Sequence, residues 1–81
     1  MTLSDRLTIS RQLRVFAAGA IDRSDDCDGA LSRVWLHVAW RYRVASEHPE
    51  KPELVSEARD WELHAEACAA WRANRVPRVR A

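Results

Sequence analysis

Residues 30 to 47 read Ala-Leu-Ser-Arg-Val-Trp-Leu-His-Val-Ala-Trp-Arg-Tyr-Arg-Val-Ala-Ser-Glu. At about 100° per residue in a helix, Leu31, Val34, Trp35, Val38, Tyr42 and Ala45 fall on one side, and Leu36, Trp40 and Val44 on the opposite side. A helix on the outside of a globular fold needs one apolar stripe, the one that meets the core. Two stripes in a chain of 81 residues predict that one packs inside and that the other meets a partner.

The flanks of this stretch supply the remaining elements. Ahead of it, Asp22 to Gly29 (Asp-Arg-Ser-Asp-Asp-Cys-Asp-Gly) gathers turn formers, and its acids sit where the positive end of the next helix favours them. Further back, Ile9, Leu13, Phe16, Ala17 and Ala20 recur at helical spacing, and Thr2 stands three residues before Asp5 as a capping-box pair. A first helix is predicted over about residues 4–21 and a second over 29–47, starting near Asp28 and stopping before Pro49. His48 to Pro52 (His-Pro-Glu-Lys-Pro) reads as a short stiff linker, because each proline biases its predecessor out of the helical region. Pro52 suits a helix's first turn, and a third helix is predicted over 53–74, where Asn74 can cap and Pro77 forbids continuation. In it Leu54, Ala58, Trp61, Ala65, Cys68 and Arg72 recur at intervals of four and three, a seam that serves a bundle core or a self-associating pair. The fold class is all-α: a small three-helix bundle, with a helical homodimer as its variant. Residues 1–81 form one helical domain that ends in a short basic tail, 75–81.

Composition limits the function classes. The 47% apolar content excludes a solvated disordered chain, and two glycines and three prolines are too few for a many-turned β protein. A core this small supplies only about 3 to 5 kcal/mol without help, which favours association. The net charge of +1 hides a segregation: residues 49 to 71 hold six acids against two bases, whereas Arg72, Arg75, Arg78 and Arg80 follow without an acid. Arginine and alanine are abundant throughout, which G+C-rich coding explains without a functional cause. Asp5, Arg6, Arg11 and Arg14 interrupt the first twenty residues, leaving no apolar core of a secretory signal. Asp5 also argues against a mitochondrial transit peptide. No apolar run approaches the roughly 20 residues that cross a bilayer. A cytoplasmic protein with reduced thiols and no membrane contact is expected, with Cys27 exposed in its acidic turn and Cys68 protected on the seam.

Three chemistries can be weighed against bland readings. Ser24, Asp26, Asp28 and Gly29 match four positions of a calcium loop, but its final carboxylate position falls on Trp35, and a solvated acidic turn explains the residues better. His64 and Cys68, one helical turn apart, could join Cys27 and His37 around zinc; no closely spaced ligand pair anchors such a site. The same pair could be a thiol and its base, yet catalysis needs an oxyanion-stabilising element and a pocket that three short helices have little room to build. We therefore expect no metal, no cofactor and no enzymatic activity.

The four tryptophans carry the functional expectation. Trp35 and Trp61 lie on inner stripes and read as core; Trp40 and Trp71 do not. Tryptophan and arginine are the types most enriched at interface hot spots. Leu36, Trp40 and Val44 are the expected apolar anchors of a partner-binding face, with Arg33, His37 and Arg43 as its rim and Arg41 at its edge. The competing reading is that the Val76 to Val79 tail covers Trp40. Trp71, Arg72 and Arg75 form a candidate second contact. The expected function is a small protein-binding regulator or stoichiometric inhibitor, acting on a protein partner or as a homo-oligomer. Its size and lack of motif resemble, by analogy alone, regulators carried by phages and mobile elements. The alternative is a nucleic-acid-binding regulator that uses the arginine-rich face and the C-terminal tail on phosphates, with Trp40 stacking on a base. The acidic third helix weighs against it.

Overall fold

The computed structural model describes residues 1–75, Arg75 by its backbone only. Three helices follow in order: α1 (Leu3–Asp25), α2 (Gly29–Glu47) and α3 (Pro52–Arg75). No strand occurs among the described residues. The basic tail beyond Arg75, with Pro77 and the Val76 to Val79 segment, lies outside them.

Each boundary has a local cause. At the start of α1 the Asp5 backbone N–H donates to the Thr2 hydroxyl at 3.1 Å and the Thr2 N–H donates to the Asp5 carboxylate at 3.4 Å, the reciprocal capping expected from the sequence. Gly29 opens α2 with φ at +62°, in the left-handed region that glycine enters without a Cβ penalty. Pro52 stands in the first turn of α3, where its missing N–H costs nothing.

The C-terminal end of α1 differs from expectation. The helix does not stop at residue 21 but runs one further turn through Asp22, Arg23, Ser24 and Asp25. Tertiary contacts override the turn-forming tendency of these residues. Ser24 is buried, and its hydroxyl donates to the Ile21 carbonyl at 2.6 Å while its own carbonyl accepts from Ser32 at 3.0 Å. The Arg23 guanidinium lies 4.7 Å from the Trp35 ring and 3.3 Å from the Glu66 carboxylate. Ser24 and Asp26, two of the residues that match a calcium loop, thus stand in the last turn of α1 and at its C-terminal cap.

Helix α2 packs along both neighbours, whereas no Cα of α1 comes within 8 Å of one in α3. The core is one cluster of Leu13, Ala17 and Ala20 from α1, Trp35, Val38, Ala39, Tyr42 and Ala45 from α2, and Ala58 and Ala65 from α3. Six of the ten are alanines, which let helix backbones approach closely, and Trp35 and Tyr42 supply the bulk. On the α1 side, the Ser10 hydroxyl donates to the Ser46 carbonyl at 2.8 Å, and Ser46 is itself buried. On the α3 side, the Tyr42 hydroxyl donates to Glu62 at 2.6 Å, and Arg59 donates to the same carboxylate oxygen at 3.1 Å.

Because α1 and α3 stand apart, side chains between them are only partly covered. Phe16, expected on the inner stripe of α1, is 50% exposed. It tilts against Tyr42 with ring centroids 5.4 Å apart, on the edge of an open trough that Ile9 and Val55 also line. Arg72, placed on the α3 seam by its spacing, is exposed.

Two outcomes follow for stability. Trp35 is 3% exposed, so Trp35→Ala should cost about 3 to 5 kcal/mol by leaving a cavity, read by thermal or urea denaturation. Burial first, and then the hydrogen bond to the Glu62 carboxylate, push the Tyr42 phenol from 10.0 up to about 12. The folded chain holds this proton more tightly than the unfolded one, so the stabilisation is complete below pH 10 and is lost as the pH rises toward 12. The loss is on the order of 3 kcal/mol. Melting temperatures measured across that window should fall less steeply for Tyr42→Phe than for the wild type.

Candidate functional site

The outer face of α2 lies opposite the core stripe because the inner face is used by both neighbours. Leu36 is 48% exposed and Trp40 55% exposed, Arg33 and Arg43 are exposed, and Val44 and His37 are half-buried. All six residues expected at the partner-binding face are thus accessible in whole or in part, on one side of one helix. More than half of the Trp40 surface stays open among the described residues.

Trp40 is exposed but not loose. The Arg41 guanidinium lies 5.4 Å from its ring centroid, within range of a cation–π attraction, and the His37 ring centroid is 5.9 Å away on the preceding turn. Arg41 is fixed in turn: its Nε donates to His37 Nε2 at 3.1 Å and its Nη1 lies 3.2 Å from the Glu57 carboxylate of α3. An arginine at the edge of the face therefore acts as a brace for its central indole.

The α3 side of the site could not be read from the sequence. The His37 and Trp61 ring centroids are 4.1 Å apart, and Trp61 meets His64 edge-on at 5.8 Å. Trp61, expected as core, is half-buried and packs against the core with its inner edge. Trp40, His37, Trp61 and His64 thus form a continuous aromatic ribbon from α2 across to α3. The sequence signal was faint: Trp61 and His64 at i and i+3 on one edge of α3, with nothing to show which edge faces α2.

The second contact is a separate place. Trp71 is 61% exposed and lines a groove of about 500 Å³ between α2 and α3 with Leu31, Val34 and Cys68. Arg72 reaches back to Asp28 at the start of α2, with Nη2 3.6 Å from its carboxylate. The Arg75 side chain lies outside the described residues.

The thiols are free and alike. Cys27 is half-buried against the core rather than exposed, and Cys68 is half-buried rather than protected, since it lines the α2–α3 groove. The expected contrast between them fails because the extra turn of α1 folds Cys27 inward. The Cys68 sulfur lies 3.7 Å from His64 Nε2. Among the described residues no three His, Cys, Asp or Glu side chains gather as a metal site, and no helix is long and apolar enough to cross a membrane.

No family model, no curated protein and no solved structure matches this chain. The geometry of the α2 face is therefore the basis for a functional reading.

That geometry can be checked in solution. A neutral collisional quencher should reach the fluorescence of Trp40 and Trp71 but not that of Trp35. Trp40→Phe and Trp71→Phe should each remove a quenchable component, and Trp35→Phe a protected one. An unquenched Trp40 would mean that something covers it.

Proposed function

We propose that this protein is a small non-enzymatic regulator or stoichiometric inhibitor that works by binding another protein through the outer face of α2. The observation that carries the reading is Trp40: a large apolar side chain on the side away from the core, braced between Arg41 and His37 and more than half exposed. A preordered indole loses little conformational entropy on binding, which is the property of a hot-spot anchor. Leu36 and Val44 extend the apolar contact one turn each way, and Trp61 continues it onto α3. Arg33 and Arg43 stand at the rim, and neither enters an ion pair among the described residues.

The distribution of arginine favours a protein over a nucleic acid as the partner. Arg6, Arg23, Arg41, Arg59 and Arg72 each pair with a carboxylate of the chain, which removes them from a phosphate-binding surface. Phosphate binding draws on a basic stripe, whereas Leu36, Trp40 and Val44 make an apolar centre with a charged rim.

Trp40→Ala should weaken partner binding by about 2 kcal/mol or more, roughly thirtyfold, and leave helicity and melting almost unchanged. Arg43→Ala should mainly slow association and reduce its salt dependence. The experiment recovers binding proteins on immobilised wild type and measures the affinity of each variant for the recovered protein by calorimetry, beside a salt titration of DNA retention. A Trp40→Ala variant that binds as the wild type does, or DNA retention that falls steeply with salt, would overturn the reading.

A further inference from the structure

The outer ridge of α2 is self-complementary. It reads Arg33, Leu36, Trp40, Val44 and Glu47, at separations of three, four, four and three residues. Trp40 is its centre. An aliphatic residue lies four positions to either side, and charges of opposite sign lie seven positions to either side. At about 100° per residue the five fall within an arc of about 80°, so they form one ridge. Arg33 and Glu47 are both exposed, and among the described residues neither enters an ion pair.

We propose that this ridge pairs with the same ridge of a second copy of the chain, antiparallel, with Trp40 of both copies at the two-fold axis. The inference rests on the reading of the α2 face as protein-binding and names the partner. A two-fold axis through residue 40 sets each residue before it beside the residue equally far after it in the other copy. Leu36 meets the partner's Val44, Arg33 meets the partner's Glu47, and both contacts occur twice. Parallel pairing would set Arg33 against the partner's Arg33 and Glu47 against the partner's Glu47, so charge fixes the direction.

Neighbouring structure permits the approach. Helix α1 meets α2 at Ser46 and borders Arg43 and Glu47 across a groove, and α3 meets it at Tyr42 and Arg41, with Trp61 reaching round to His37, roughly 60° from the ridge centre. The ridge therefore projects. His37 and Arg43 flank it on opposite edges, and the two-fold operation sets each on the same edge as its counterpart in the second copy, so the two Arg43 side chains share one edge, offset by about 9 Å along the helix axes. A uniformly acidic partner would be repelled by Glu47, as would a polyanion; a second copy matches both charged ends.

The contact from Arg33 to Glu47 is about 21 Å long and smaller than a standard interface, so the dimer should dissociate on the order of micromolar. Sedimentation velocity of the full chain from about 1 to 300 µM brackets that range. The wild type should pass from monomer to dimer within it. Trp40→Ala, which removes two anchors per dimer, should weaken association roughly a hundredfold. Arg33→Glu and Glu47→Arg should each weaken it roughly tenfold, because two attractive pairs become repulsive. An equimolar mixture of these two variants should form a heterodimer near wild-type strength, since each reversed charge then meets its complement. Both substitutions are on the surface, and circular dichroism verifies the fold. A wild type that stays monomeric overturns self-pairing and leaves the α2 face free for a different protein. A dimer unaffected by all three substitutions overturns both the pairing and the placement of the binding face. Single variants that weaken without recovery in the mixture overturn the antiparallel register.

Discussion

Helix α2 packs along both of its neighbours while their backbones stay apart, joined across the gap by the Arg23–Glu66 ion pair, and the rest of the molecule follows from that arrangement. A closed three-helix core needs each helix to pack along two others. Here only the middle one does, and it does so through small residues. Ala17, Ala20, Ala39, Ala45, Ala58 and Ala65 are all buried, so the helices lie close together and little volume remains between them for large side chains. Trp35 and Tyr42 fill most of it. Phe16 then sits on the edge of an open trough, and the side of α2 that carries Arg33, Leu36, Trp40, Arg43 and Glu47 stays exposed.

Much of the architecture was legible because period and punctuation agree. The two stripes of α2, the reciprocal pairing of Thr2 with Asp5, and the prolines at 49 and 52 each act locally, and each appears where local rules place it. The failures involve residues whose local preference is opposed by distant partners. Asp22 to Asp25 look like a turn, yet Arg23 is held by Trp35 and Glu66, and Ser24 is buried with its hydroxyl satisfied inside the helix. Local propensity is a weak prior when tertiary contacts are that specific. Phe16 is misplaced for a different reason: helical phase gives its direction correctly, but whether a third helix closes over it depends on topology.

The candidate site divides in the same way. Leu36, Trp40 and Val44 share a face by helical phase alone, so their placement needed only the sequence. The brace around Trp40 combines a local step, from His37 to Arg41 at i and i+4, with a distant one, from Arg41 to Glu57 on α3. The contact of His37 with Trp61 depends on the register of α2 against α3, which no spacing within either helix encodes. The exposure of Trp40 was legible; its support was not.

Electrostatics explains why the outer ridge stays open. Arg6, Arg23 and Arg72 carry ion pairs from one element to another at the two ends of the molecule, and Arg41 and Arg59 brace the middle through Glu57 and Glu62. Exposed pairs of this kind each contribute at most about 1 kcal/mol; Arg41–Glu57 and Arg72–Asp28 link α3 to α2 and to its start, and help to set how α3 lies against α2. That register turns the Trp61 edge of α3 beside the α2 face and leaves Arg33, Trp40 and Glu47 projecting. Leu36, Trp40 and Trp71 all lie outside the core, so this chain keeps apolar bulk on its surface that a fold built only for stability would have enclosed. Burying such a ridge against a protein surface recovers hydrophobic stabilisation that a core made largely of alanine does not provide.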